Sequence, residues 1–350
     1  MLLDKKGGRT GPPLLKIPRQ CNILIMKTLI RLFILGGFFI SGCEEDVKIQ
    51  YEPFETKPVI YCVIDPNDTI HSIRIERVFS GGQPPAITAA IPDSLYFKDI
   101  KVTFRLSSNS GNWGTEQETK LVELFDKKPG YFANSRSYVY QFEKILKSGG
   151  RNLFSRIRIQ VEIPGLPTLT ATSKIISDPA VYSPIPSQQF IYIVHDRPLL
   201  IQWSGGAWNE VDIRFEINEM YPDSTVKKYL QFQKVNQVLI NGRYYEIRIP
   251  FELIVQEIDK TLKVDRNIVK RYFGPINFTI HTGLQEYATY IEFLYGINDF
   301  NENPFSNIEG ALGLVTSRSS INKGPMLLDQ SSRFELSQDP VLQKLNFIEW

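Results

Sequence analysis

Cys43 closes Ile40-Ser41-Gly42-Cys43, a branched apolar residue, a small one, Gly and then Cys. A thiol in that setting accepts diacylglycerol, and cleavage just before it leaves Cys43 as an acylated N-terminal residue. The preceding residues support this chemistry. Met26-Lys27-Thr28-Leu29-Ile30-Arg31 forms a positive n-region, and Leu32 to Ile40 a short apolar h-region, the order of a secretory signal. That run is nine residues long, whereas a bilayer-spanning helix needs roughly 20. Residues 1–25 carry no targeting pattern and are expected to be an upstream extension, with Met26 as the start.

The other reactive residue types form no constellation along the chain. The three histidines, His71, His195 and His281, have no second His or Cys at metal-ligand spacing, so no metal and no cofactor is expected. No Gly-x-Ser-x-Gly elbow and no phosphate-cradling loop ending in Lys-Ser or Lys-Thr occurs, and no catalytic residue is assigned. Trp113 and Trp208 lie among Asn and Gly and are the candidates for stacking on a ligand, while Trp203 sits inside an apolar strand and reads as core. Cys62, in Val59-Ile60-Tyr61-Cys62-Val63-Ile64, reads as a small buried hydrophobe.

Charge excludes one class of partner. The 350 residues carry +2, but removal of residues 1–42 takes away seven of the 40 basic side chains and one of the 38 acidic ones, leaving −4. The basic balance that would suit nucleic acid belongs to the leader alone. Of the three cysteines, Cys21 leaves with the leader and Cys43 carries lipid, so no disulfide can form within one mature chain.

The elements that would present such a chain are β-strands. Val59–Ile64, Ser72–Phe79, Ile100–Leu106, Lys120–Phe125, Tyr138–Phe142, Arg156–Ile163 and Leu169–Ile176 are separated by turn residues such as Asp65-Pro66-Asn67-Asp68 and Ser148-Gly149-Gly150. Ile73 and Ile75 alternate with Arg74 and Glu76, the period of a strand with one buried face. Prolines at 179, 184 and 186 mark a boundary, beyond which Pro198–Trp203, Val211–Met220, Asn277–His281 and Ala311–Thr316 read as further strands. Two helices interrupt them. Phe251, Ile254, Val255, Ile258 and Leu262 form one apolar stripe, and Leu284, Tyr287, Ala288, Ile291 and Leu294 a second. The expected fold is mainly β: two β-sandwich-like domains of immunoglobulin or fibronectin type, the second with one or two inserted helices. The expected limits are a signal peptide at 26–42, an acidic tether at 43–57, sandwiches at 58–178 and 187–320, and an extension at 321–350.

Glu44-Glu45-Asp46, directly after the acylated position, resembles the surface-export signals of Bacteroidota lipoproteins. Further along, Asn303-Pro304-Phe305-Ser306-Asn307-Ile308-Glu309-Gly310-Ala311-Leu312-Gly313-Leu314-Val315 resembles the C-terminal signature of Bacteroidota lipoproteins grouped as domain-of-unknown-function family 4249. The chain departs from that pattern with Ala311 in place of a second Gly and Val315 in place of an aromatic. The resemblance implies a β-rich lipoprotein beside a TonB-dependent transporter or another envelope protein, with no catalytic residue to carry over. Physically, Gly310 and Gly313 suit tight turning or close backbone approach. The expected protein is therefore a non-enzymatic binding or accessory lipoprotein. It is held in the outer membrane by its N-terminal lipid and faces outward, with the periplasmic face as the alternative orientation. An extracytoplasmic hydrolase and a purely structural envelope protein are the alternative functions.

Overall fold

The computed structural model describes residues 57–78, 85–125, 137–185, 187–235, 239–240, 243–295 and 305–349. The expected signal peptide, the expected lipidation site Cys43 and the expected export signal Glu44, Glu45 and Asp46 lie outside them. The first half of the chain supplies strands β1 (Pro58–Ile64), β2 (Ile70–Arg77), β3 (Lys101–Ser108), β4 (Gln117–Glu118), β5 (Lys120–Leu124) and β6 (Ser137–Glu143). The small β7 (Lys147–Ser148) and β8 (Arg151–Asn152) precede β9 (Phe154–Glu162) and β10 (Leu169–Lys174). Two short helices, α1 (Pro85–Ala89) and α2 (Pro92–Leu95), fall between β2 and β3. The second half supplies β11 (Ala180–Ser183), β12 (Phe190–Ile191), β13 (Leu199–Ser204), β14 (Trp208–Met220), β15 (Thr225–Val235), β16 (Leu239–Ile240) and β17 (Tyr244–Ile249). Helix α3 (Phe251–Thr261) leads to β18 (Lys270–Gly283), α4 (Gln285–Leu294), β19 (Leu312–Leu328), α5 (Gln330–Gln338) and α6 (Pro340–Lys344).

The fold is mainly β and sandwich-like, as the alternating strands predict. One nine-stranded sheet runs in the order β15-β14-β18-β19-β1-β2-β6-β5, with β12 also paired to β19. Two four-stranded sheets, β10-β9-β3-β4 and β11-β13-β17-β16, supply the other layers. Each has its own core. Ile60, Ile73 and Ile75 of the long sheet pack with Phe104, Ile157 and Ile159 in the first lobe. Ile213, Phe215 and Phe278 pack with Ile201, Trp203 and Ile247 in the second. Helix α3 closes the second core because Phe251, Ile254, Val255 and Ile258 recur on one face, and all four are buried.

The expected domain limits need correction at the C-terminal end. Residues Tyr51–Trp350 form one compact unit, and β19 runs through both lobes. Its first half pairs in parallel with β1, from Val59 opposite Leu312 to Ile64 opposite Ser317. Its second half pairs antiparallel with β18. Ile308, Ala311 and Val315, expected inside the second domain, therefore lie in the first core. Residues 321–350, expected as an extension, bring Leu336, Leu342, Leu345 and Phe347 into the second core. A strand of 17 residues is long enough to serve two sandwiches, so sequence position does not decide lobe membership.

Candidate functional site

Trp208 is not a loop residue. It opens β14 opposite Gly283, is 6% exposed, and meets the Tyr287 ring of α4 edge-on at 4.9 Å. The missing side chain at Gly283 makes room for Tyr287, since a Cβ there would lie 2.7 Å from its ring. Trp208 is thus packed away from ligands in solution. Trp113 is half-buried beside β3, with the Arg158 guanidinium 4.4 Å from its ring centroid. A cation already occupies that aromatic surface. Asp65-Pro66-Asn67-Asp68 is the turn between β1 and β2, closed by the Asp68 amide donating to the Asp65 carbonyl at 3.1 Å.

A pocket forms where the long sheet is irregular. The β14–β18 register slips between Phe215 and Ile217, and the β18–β19 register between Ile276 and Phe278. Bulges at the same height open the ladder and redirect side chains. Gly274 fills the tightest position, because a Cβ there would come within 2.7 Å of Asn218 Nδ2 and 2.8 Å of Glu216 Oε1. The resulting cavity, about 300 Å³, has Phe190, Tyr272, Phe273 and Leu327 among its walls and Asn218 and Arg333 as polar members. Phe190 pairs with Leu327 in the ladder, and both are nearly half exposed. Apolar walls with a few directed polar groups suit a small ligand with an apolar body and hydrogen-bond acceptors. Phe273 and Asn218 carry no local sequence signal; only the paired bulges bring them to one cavity.

Two polar groups cross the long sheet. On its wet face His281 lies opposite Glu210 on one side and Ser320 on the other. His281 Nδ1 is 2.7 Å from Ser320 Oγ, and Nε2 is 3.5 Å from Asp212 Oδ2. At the junction of the lobes, Lys147 pairs with Asp178 and donates to Asn67 Oδ1 at 2.8 Å. Ser319 Oγ donates to Asp178 Oδ1 at 2.7 Å, and Asn67 Nδ2 donates to Ser319 Oγ at 3.1 Å. Burial works to raise the Asp178 carboxyl, but the hydrogen bonds from Lys147, Ser319 and Asn67 and the Lys147 charge outweigh it and hold the group below its usual range. This network ties the β1–β2 turn, β7, the inter-lobe segment and β19 together.

The remaining histidines are held separately. His71 is buried, with Nε2 3.1 Å from the Lys144 carbonyl, and burial lowers its pKa below 6.5. His195 is exposed, 3.2 Å from Glu252. Among the described residues, no group of three or more His, Cys, Asp or Glu is placed to hold a metal ion. No family model matches the chain, and no curated protein matches it.

Proposed function

We propose that this chain is a lipid-anchored envelope protein of the outer membrane with a binding or accessory role, and that the cavity between β18, β19 and α5 holds its ligand. The observation that carries the binding role is that cavity, about 300 Å³ with aromatic walls and the Asn218 and Arg333 side chains. Its volume lies at the lower end of the range for small-molecule sites. The anchor rests on Ile40-Ser41-Gly42-Cys43, and the outward orientation on Glu44-Glu45-Asp46. The resemblance of Asn303–Val315 to the Bacteroidota lipoproteins supports a TonB-dependent transporter or another envelope protein as partner.

Two measurements test this reading. Cys43→Ala should move the protein from the outer-membrane fraction to the soluble fraction and abolish acylation; retention of an acylated chain in the membrane would exclude the anchor. A small-molecule library screened against the purified chain should yield saturable ligands lost in Asn218→Leu and Leu327→Arg. Ligands bound equally well by both variants would remove the cavity from the account.

A further inference from the structure

Among the described residues, His281 is the histidine that meets a hydroxyl and a carboxylate together. Ser320, His281 and Asp212 come from β19, β18 and β14, three adjacent strands, and the contacts place all three side chains on the same face of the sheet. Ser320 Oγ lies 2.7 Å from His281 Nδ1, within reach for direct proton transfer. Asp212 Oδ2 lies 3.5 Å from His281 Nε2. A carboxylate on that side favours the tautomer with its proton on Nε2, which leaves Nδ1 free to accept the Ser320 proton. Asp212 is itself placed by Gln231, whose Nε2 donates to Oδ1 at 3.4 Å. The Asn67 amide donates to the Ser320 carbonyl at 3.3 Å and holds the backbone beneath the hydroxyl.

We propose that Ser320 and His281 are the nucleophile and general base of an ester-hydrolysing site, positioned by Asp212 and distinct from the cavity at β18 and β19. Nucleophile, base and orienting carboxylate in this relation define the arrangement used for acyl transfer, which is recognised by geometry and not by sequence order. Ser320 Oγ attacks the ester carbonyl carbon while its proton passes to Nδ1. The carbon–alkoxy bond then breaks, and the alcohol leaves with that proton. Water attacks the acyl-serine with Nδ1 again accepting a proton, the acid departs, and the proton returns to Ser320. Ester and water give acid and alcohol, with no other reactant. Arg318 and Asn322, two residues either side of Ser320 on the same strand, share its face and supply donors for the oxyanion.

The surroundings define the substrate class. His281 and Asp212 side chains are each 26% exposed, and Arg318 and Asn322 are exposed, so the face is open. An open face of this kind suits a short acyl group better than a long chain, and Gln231, Thr279 and Asn322 bring hydrogen-bonding groups to the same part of the sheet. The substrates are short-chain esters of hydroxyl-rich alcohols.

The full chain should be labelled by a fluorophosphonate probe on the peptide bearing Ser320, located by mass spectrometry. Ser320→Ala should abolish that labelling, and His281→Gln should slow it by at least about 100-fold. Asp212→Asn should slow it and Asp212→Glu restore much of the rate, while thermal unfolding of all four variants stays close to that of the parent. p-Nitrophenyl acetate should be cleaved faster than the octanoate. An unlabelled parent chain, labelling that survives in Ser320→Ala, or a His281→Gln variant as reactive as the parent would each overturn the proposal.

Discussion

Glu219 and Arg271 face each other across the β14–β18 ladder, and the guanidinium donates twice to one carboxylate oxygen, from Nη2 at 2.8 Å and from Nε at 2.9 Å. The side chains are 4% and 2% exposed. Arg271 also donates from Nη1 to the Leu345 carbonyl at 2.7 Å and from Nη2 to the Lys263 carbonyl at 2.9 Å. A buried pair of this kind costs desolvation, and its value is seen when one partner is lost. Arg271→Met should therefore destabilise the protein by roughly 3–5 kcal/mol, because Glu219 is left buried without its cation. Adding Glu219→Leu should recover a large part of the loss. Urea unfolding of the two single variants and the double variant gives the coupling directly.

Acid should weaken the lobe junction through Asp178. Its folded pKa is depressed below the ordinary 3.8, so its contribution is fully present above that value and is lost as pH falls through the lower folded one. Asp178→Asn should make stability less steep in pH below about 4 while lowering it at neutral pH. Urea midpoints measured across that range check both.

Cys62 should be chemically silent in the folded state. It is 1% exposed, and burial pushes its thiol up to about 12. The thiolate is the reactive form, so a maleimide at neutral pH should leave the Cys62 peptide unmodified until denaturant is added. Modification of the native protein at the rate of a free thiol would contradict this burial.

Gly313 should tolerate no side chain. Its φ is +113°, and a Cβ would sit 2.1 Å from the Ile60 carbonyl oxygen. Gly313→Ala should cost about 2 kcal/mol in backbone strain alone, with the clash added. Hydrogen exchange should show the loss first in β1, whose parallel pairing with β19 depends on that approach.

Several features were legible along the chain because they are local. His71, Ile73 and Ile75 point into the first core as the alternation in β2 requires, and the Phe251 stripe lies against the second. The positive φ of Gly310 and Gly313 fits the turning and close approach expected of them. Strand β15 was harder to see. Its Lys227 and Lys228 suit an edge strand but dilute the apolar signal. Trp208 misled for a different reason. The polar Asn209 beside it suggested a loop, yet Asn209 is 1% exposed because it accepts from Trp203 Nε1 at 2.9 Å and donates to the Gly206 carbonyl at 2.7 Å. A polar side chain with its bonds satisfied can be buried.

Periodicity, turn residues and the setting of Cys43 belong to short stretches of chain, so residue order suffices to read a β-rich body and to propose the acylation of Cys43 ahead of it. Long-range pairing depends on which surfaces fit after loops close. Only the folded chain brings Ile60 against Gly313, opens a cavity beside two bulges, and sets Ser320 2.7 Å from a histidine 39 residues away.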